Sequence, residues 1–190
     1  MIIVSIDVGY VNLGLTRATV DECFNVSFID VIKINLRHTR HTRVPACECK
    51  IPHTNETCDR IAHFLQEYEP ILGSADTILI ERQPIMGLKD VEGLIMSANR
   101  ARTILVSPNS MHRFFGISKF TYDERKVQTE KIAEKYVGHM EEYQNLERKH
   151  DIADAVCLCL YHVDGLKREA DTKRRRSGAL RGTPLDQFRL

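Results

Sequence analysis

Residues 2–9 read Ile2-Ile3-Val4-Ser5-Ile6-Asp7-Val8-Gly9. The run has the length of a strand and almost no polar face. A strand of that kind is covered on both sides, so it belongs in the middle of a sheet. Asp7 is the anomaly. An acid inside an apolar strand is costly unless it is paired, hydrogen-bonded or bound to a metal. Gly9-Tyr10-Val11-Asn12 is a turn signal. Residues 13–20 and 24–34 then alternate β-branched and aromatic residues in the manner of strands. Three strands in such close succession predict an antiparallel meander with residues 2–8 at its start.

The remaining chain alternates helix and strand. Residues 35–56 are polar and irregular, with a Cys- and His-rich insertion at about 37–56. Ile61, Phe64, Leu65 and Tyr68 recur at helical spacing over 57–68, and Glu69-Pro70 stops that helix. Strands follow at 76–81 and 102–107, with a helix at 90–100 between them. A short helix over 108–115, a loop to Tyr122 and a charged helix over 123–137 come next. The last helix carries Asp151, Asp154 and the apolar residues Ala155, Val156, Leu158 and Leu160. Beyond Gly165 the apolar periodicity fades, which predicts a flexible basic tail over 164–190 after a domain spanning 1–163. The fold class expected is α/β, with a five-stranded mixed sheet: a three-strand meander, then two parallel strands, flanked by helices.

A chain of 190 residues with 43% hydrophobic content supports one globular core. No apolar run approaches the roughly 20 residues that span a bilayer. The start, Met-Ile-Ile-Val, lacks the basic region and cleavage site of a secretory leader. An intracellular protein with no membrane partner is expected, its six cysteines reduced. The net charge of +1 is unevenly spread: from Asp164 onward there are eight Lys/Arg against four acids, leaving the body at −3. That balance disfavours a whole-surface nucleic-acid binder and permits a local phosphate contact.

Four acids stand apart from the other acidic residues by their setting. Asp7 lies in the first strand, and Glu81 ends the run Ile78-Leu79-Ile80. Asp151 and Asp154, three apart on a helix, share a face. Hard divalent cations prefer oxygen donors of this type. A pair of such ions can activate water and stabilise a leaving oxygen in phosphoryl displacement. Lys126 could steady developing phosphate charge or protonate a leaving group. Each acid also has an ordinary account: Asp7 as a turn cap, Glu81 as a partner of Arg82, Asp151 and Asp154 as acids favoured at a helix N-terminus.

Taken together, Ile6-Asp7-Val8-Gly9 with Asn12, Leu79-Ile80-Glu81-Arg82-Gln83, Arg125-Lys126-x-Gln128 and Asp151-Ile152-Ala153-Asp154-Ala155 resemble the RuvC-type Holliday junction resolvases of the RNase H-like superfamily, in particular the family of poxviruses and related large DNA viruses. The resemblance covers roughly residues 1–163. It implies an RNase H-like fold and a metal-dependent endonuclease that resolves branched DNA by paired symmetric nicks during viral recombination, replication-intermediate or concatemer processing. It implies Asp7, Glu81, Asp151 and Asp154 as ligands of Mg²⁺, with Mn²⁺ as a substitute and two ions per site. Lys126 would be the active-site lysine, with Lys119 a weaker candidate. A homodimer acting on a four-way junction is implied, in the cytoplasm or nucleus of an infected cell. The alternatives are an RNase H-like nuclease acting on an RNA–DNA hybrid or flap, and a junction-binding protein without catalysis.

Other features carry weaker signals. Arg37, Arg40 and Arg43 lie in an Arg- and His-rich loop suited to phosphates, and Arg82, Lys119 and Arg125 are further candidates for DNA contact. Cys47, Cys49, His53 and Cys58 could ligate zinc, but Cys-x-Cys is unlike the usual knuckle, and a loop of thiols is the plainer reading. Lys173–Arg176 suits a phosphate-binding tail, a nuclear localisation signal or a solvated end. His150 is a candidate proton-transfer group or a polar helix start. Tyr122, Phe114 and Phe115 could stack on opened bases, with core packing the better account of the two phenylalanines.

Overall fold

The computed structural model describes residues 1–38, 49–54 and 56–181. Five strands form one sheet: β1 (Ile2–Asp7), β2 (Asn12–Val20), β3 (Val26–Asn35), β4 (Thr77–Glu81) and β5 (Thr103–Val106), in the order β3-β2-β1-β4-β5. The first two pairings are antiparallel and the other two parallel. The meander, the central position of β1 and the two added parallel strands all appear as the sequence predicts. Ile3, Val4, Ile6 and the apolar core of β4 are fully buried.

Side chains of successive residues point to opposite faces of a sheet. On one face Val4, Ile6, Ile78 and Ile80 pack beneath α1 (Thr57–Glu67) and α3 (Lys89–Ala98), with Ile61, Phe64 and Val91 completing the core. On the other, Ile3, Ala18 and Leu79 meet Cys157, Leu158 and Val163 of α7 (His150–Arg181). Asp7 shares its face with Ile3, and Glu81 with Leu79. Both acids therefore point to the α7 side.

Helix α7 touches β1, β2, β3 and β4. Its approach depends on Gly14: a Cβ there would lie 2.0 Å from the carbonyl oxygen of Asp151. Helix α5 (Tyr122–Val137) packs along α7, its N-terminus closed by a capping box between Thr121 and Glu124. The cap fixes the first turn, immediately before Lys126.

Several boundaries differ from the sequence reading. Pro70 does not end helical structure. It stands in the first turn of a short helix α2 (Glu69–Gly73), where the missing N–H costs nothing. Between α5 and α7 lies a one-turn helix (Glu141–Gln144) whose Tyr143 is fully buried, anchoring a stretch that shows no periodicity. The largest correction concerns α7. It runs past Gly165 to Arg181, beyond the point where apolar periodicity fades. Alanine, lysine and arginine are good helix formers, and basic residues near a helix C-terminus oppose its dipole. An Asp164–Arg168 ion pair at 2.5 Å and a bond from Thr172 Oγ1 to the carbonyl of Arg168 support the extension.

Candidate active site

The parallel register places Ile6 opposite Ile80, so Asp7 and Glu81 emerge side by side at the ends of the two central strands. Their carboxyls are within side-chain hydrogen-bonding reach. Burial, then the charges of Glu81 and Asp154, push the Asp7 pKa well above the usual carboxylate range. Burial also raises Glu81, against the bonds it accepts from Asp7 and Gln83. Both shifts favour the protonated form of the pair relative to free carboxylates.

Asp154 faces the same volume from the second turn of α7, and the Lys126 ammonium bonds its Oδ2 at 2.5 Å. Burial disfavours the lysine's charge, yet Asp154 and Asp7 outweigh that and raise its pKa. Asp7, Glu81, Asp154 and Lys126 are therefore one electrostatic cluster assembled from β1, β4, α7 and α5.

Asp151 stands one turn nearer the helix start in a different setting. Its carboxylate has His150 Nε2 at 3.4 Å, Arg148 Nε at 3.7 Å and Lys33 Nζ at 3.9 Å. Its buried Oδ2 accepts no hydrogen bond among the described residues and is the oxygen those two longer ion pairs, from Arg148 and Lys33, reach. Lys33 pairs with Gly14 across the β2–β3 ladder, and the missing side chain at Gly14 leaves room for α7. His150 bridges the two halves. Burial lowers its pKa, while the carboxylates of Asp151 and Asp154 pull it up.

Among the described residues no three of these side chains close into a ready metal cage. The Lys126 ammonium offsets the charge of Asp154 instead. The donor set still fits a hard divalent cation. It is all oxygen, it crowds like charges at some cost to Asp7, and one turn along α7 the Asp151 carboxylate keeps a buried oxygen that accepts no hydrogen bond.

Gln83 appears in the sequence only as the end of a motif, and Glu92 and His112 carry no sequence signal of a role. Gln83 donates from Nε2 to Glu81 at 2.9 Å, and its backbone N–H reaches the buried Glu92 at 2.5 Å. Glu92 is in turn paired with Lys89 at 2.8 Å. His112 on α4 (Pro108–Phe114) lies within electrostatic reach of Asp154 and Lys126, its pKa lowered by burial and then by Arg125. Lone polar residues in mixed segments have no period to betray them. Next to Glu81, Ile85 and Met86 form a loop tip 91% and 96% exposed, the most exposed large apolar side chains of the described residues. A bond from Gly87 N–H to the carbonyl of Pro84 at 2.8 Å closes that loop.

The DNA-contact candidates divide. Arg37, Arg82 and Lys119 are exposed. Arg125 is half-buried and donates to the carbonyl of Phe120 at 2.8 Å, bracing the loop before α5. Arg40 and Arg43 lie outside the described residues, as does Cys47. Cys49 bonds the carbonyl of Ile51, and the Cys58 thiol lies 3.7 Å from Asp59. Tyr122 is 60% exposed with its ring 5.3 Å from the Lys126 ammonium. Phe115 packs against the core, and Phe114 stacks edge-on with Tyr161.

A family model described as Poxvirus A22 protein matches residues 1–167. Among solved structures, a fowlpox virus resolvase in complex with Holliday junction DNA is similar at 18% identity and a TM-score of 0.62, covering 87% of this chain and 99% of its own. The yeast mitochondrial Holliday junction resolvase Ydc2 is similar at 16% identity and 0.64, covering 91% and 85%. Thermus thermophilus RuvC follows at 15% and 0.56, covering 89% and 97%. No curated protein sequence matches the chain. At these identities the structural likeness is one of fold: the RuvC-like, RNase H-type arrangement of sheet and helices.

Proposed function

The chain belongs to the Poxvirus A22 protein family, and from that premise we propose that it is a Holliday junction resolvase, an endonuclease that nicks paired strands of a four-way DNA junction. The observation that carries this reading is the meeting of Asp7, Glu81, Asp154 and Lys126 at the ends of the two central strands, on a fold shared with junction resolvases. The nuclease unit is residues 1–163, and the basic segment from 164 is an addition to it.

Asp7, Glu81, Asp151 and Asp154 would hold Mg²⁺, with Mn²⁺ as a substitute. A bound divalent ion, or a pair of them, supplies acidification of water and neutralisation of phosphate charge. The protein's own residues do the rest. Asp7 and Glu81 must both be ionised to serve as ligands, against the upward shift that burial gives each of them. Gln83, held by Glu92, fixes the Glu81 carboxylate from behind. Lys126 exchanges Asp154 for the phosphate and steadies charge on the leaving oxygen. Arg148 and Lys33 release Asp151 toward the site as a phosphate takes over their charge.

Ile85 and Met86 give the site an apolar tip suited to bases unstacked at a branch point. Tyr122 offers a ring for the same purpose. Two copies related by a two-fold axis would match the symmetry of the junction and nick it twice. The work would be done where viral DNA replicates, in the cytoplasm or nucleus of the infected cell. No helix of the described residues is long and apolar enough to cross a membrane.

Incubation with a synthetic four-way junction, a linear duplex and an RNA–DNA hybrid, with and without Mg²⁺, tests the reading. Symmetric paired nicks confined to the junction are expected. Cleavage of the hybrid alone would assign an RNase H. Binding of the junction without cleavage under any metal would assign a non-catalytic junction protein.

A further inference from the structure

Helix α7 does not stop where the nuclease core stops. The family match ends at residue 167, while the helix continues to Arg181. From Asp171 to Arg176 every residue is exposed, and four consecutive positions, Lys173, Arg174, Arg175 and Arg176, are basic. Consecutive helical residues are about 100° apart, so this cluster presents positive charge around the whole helix. A helix polar on every side has no apolar face with which to pack on its own body. An exposed helix with such an excess of basic side chains suits a surface dense in negative charge.

The extension is rigidly tied to the chemistry, because the same helix carries Asp154 in its second turn. Arg168 fastens its root, paired with Asp164 at 2.5 Å and lying 5.5 Å over the Phe114 ring. The 19 to 22 residues from Asp154 to Lys173–Arg176 correspond to roughly 28–33 Å at about 1.5 Å per residue. One turn of B-form DNA is roughly 34 Å.

We infer that the α7 extension is a second DNA-binding site, a basic helical arm that grips the phosphates of one duplex arm of the junction about one helical turn from the nicked bond. The inference rests on the resolvase reading above. The arm reads no bases. It supplies affinity and holds the duplex arm at a set distance from Asp7, Glu81 and Asp154.

The test compares the full chain with the variant Lys173→Gln/Arg174→Gln/Arg175→Gln/Arg176→Gln, whose substitutions keep a good helix former at each position. Circular dichroism and thermal unfolding check that the fold is intact. Binding of a synthetic four-way junction is measured in EDTA across a salt series, and hydroxyl-radical footprints are taken on the same complex. Every phosphate that the variant fails to neutralise lowers the slope of log affinity against log salt by about 0.9. A fall of roughly 2 to 4 is expected, together with disappearance of protection about one turn from the crossover while protection at the crossover remains. An unchanged slope and footprint would overturn the inference, as would a variant whose only defect is its address in the cell, which would give the arm to an import receptor. Junction cleavage by the wild-type chain in Mg²⁺ is scored in parallel. Its failure would strike the resolvase reading, and an unchanged variant would strike the arm alone.

Discussion

Lys126 and Asp154 meet at 2.5 Å across the seam between α5 and α7, and the charge of the same lysine acts on both acids of the central strands. Replacing Lys126 by Met keeps the stem and removes the charge. Junction cleavage should fall about 10²- to 10³-fold, the loss typical of one transition-state donor. Junction affinity should change by no more than roughly threefold, as for one phosphate contact. Single-turnover kinetics beside a binding titration separate the two. Equal losses in both would make Lys126 a binding residue only.

Asp7 pays for its position when no metal is present. Its pKa and that of Glu81 are raised in the folded chain, so their contribution to stability is full below the ordinary carboxylate range and is lost as pH rises through the raised values. At neutral pH in EDTA, Asp7→Asn should therefore melt higher than wild type. Each 1 kcal/mol gained reads as roughly 2–4 °C in a domain of this size. In Mg²⁺ the order should shrink or reverse, because only the wild type gains from the ion. Thermal unfolding in both buffers decides it, and a variant less stable than wild type in EDTA would contradict the electrostatic account.

The same upward shifts predict a pH dependence of metal binding. Ligation needs Asp7 and Glu81 both ionised, so Mg²⁺ or Mn²⁺ affinity should rise with pH from the carboxylate range toward neutrality. Calorimetric titration in two buffers of different ionisation enthalpy should show proton release on binding. Binding that is independent of buffer would argue that the pair is already ionised.

Gly14 gives a purely steric prediction. A methyl group there would press within 2.0 Å of the Asp151 carbonyl oxygen, so β2 and α7 must separate. Gly14→Ala should destabilise the chain by about 1–3 kcal/mol, the usual cost of overpacking. Cleavage should fall further than stability does, since the helix that shifts carries two of the acids. Unfolding curves and cleavage rates at a temperature where the variant stays folded provide the comparison.

Ile85→Ser/Met86→Ser removes an exposed apolar tip that touches no core. Stability should stay within about 0.5 kcal/mol of wild type. Discrimination between a four-way junction and a linear duplex should weaken by about tenfold, which corresponds to roughly 1.4 kcal/mol of binding free energy. Competition binding measures it, and unaltered discrimination would leave the tip without a role in recognition.

Much of this arrangement is legible in residues alone. The unbroken apolar face of residues 2–6 identifies the central strand, and Asp7 and Glu81 are conspicuous because each interrupts or ends such a run. What the sequence hides is where side chains go when no period constrains them. Asp151 and Asp154 share a helix face, yet one sits among cations and the other among acids, a difference set by Lys33 and Arg148 reaching in from elsewhere. Arg125, a candidate phosphate contact, also holds a loop carbonyl that no sequence pattern announces. Tyr143 anchors a segment with no pattern. The run to Arg181 is invisible to a search for apolar spacing because intrinsic propensity and local ion pairs, not burial, sustain it.

The crossing of α7 over the sheet also fixes when activity can arise during synthesis. Strands β1 to β3 lie within the first 35 residues and can pair as soon as they leave the ribosome, because their contacts are local. Asp7 is then made early and Glu81 later, but Asp151 and Asp154 arrive last of the four. Until that final helix settles over Gly14, the two central acids stand exposed to water with no partners from α7. On the proposed site, a growing chain lacks two of the four acids until its last helix is made, so the acid set is complete only once the element that closes the fold has docked.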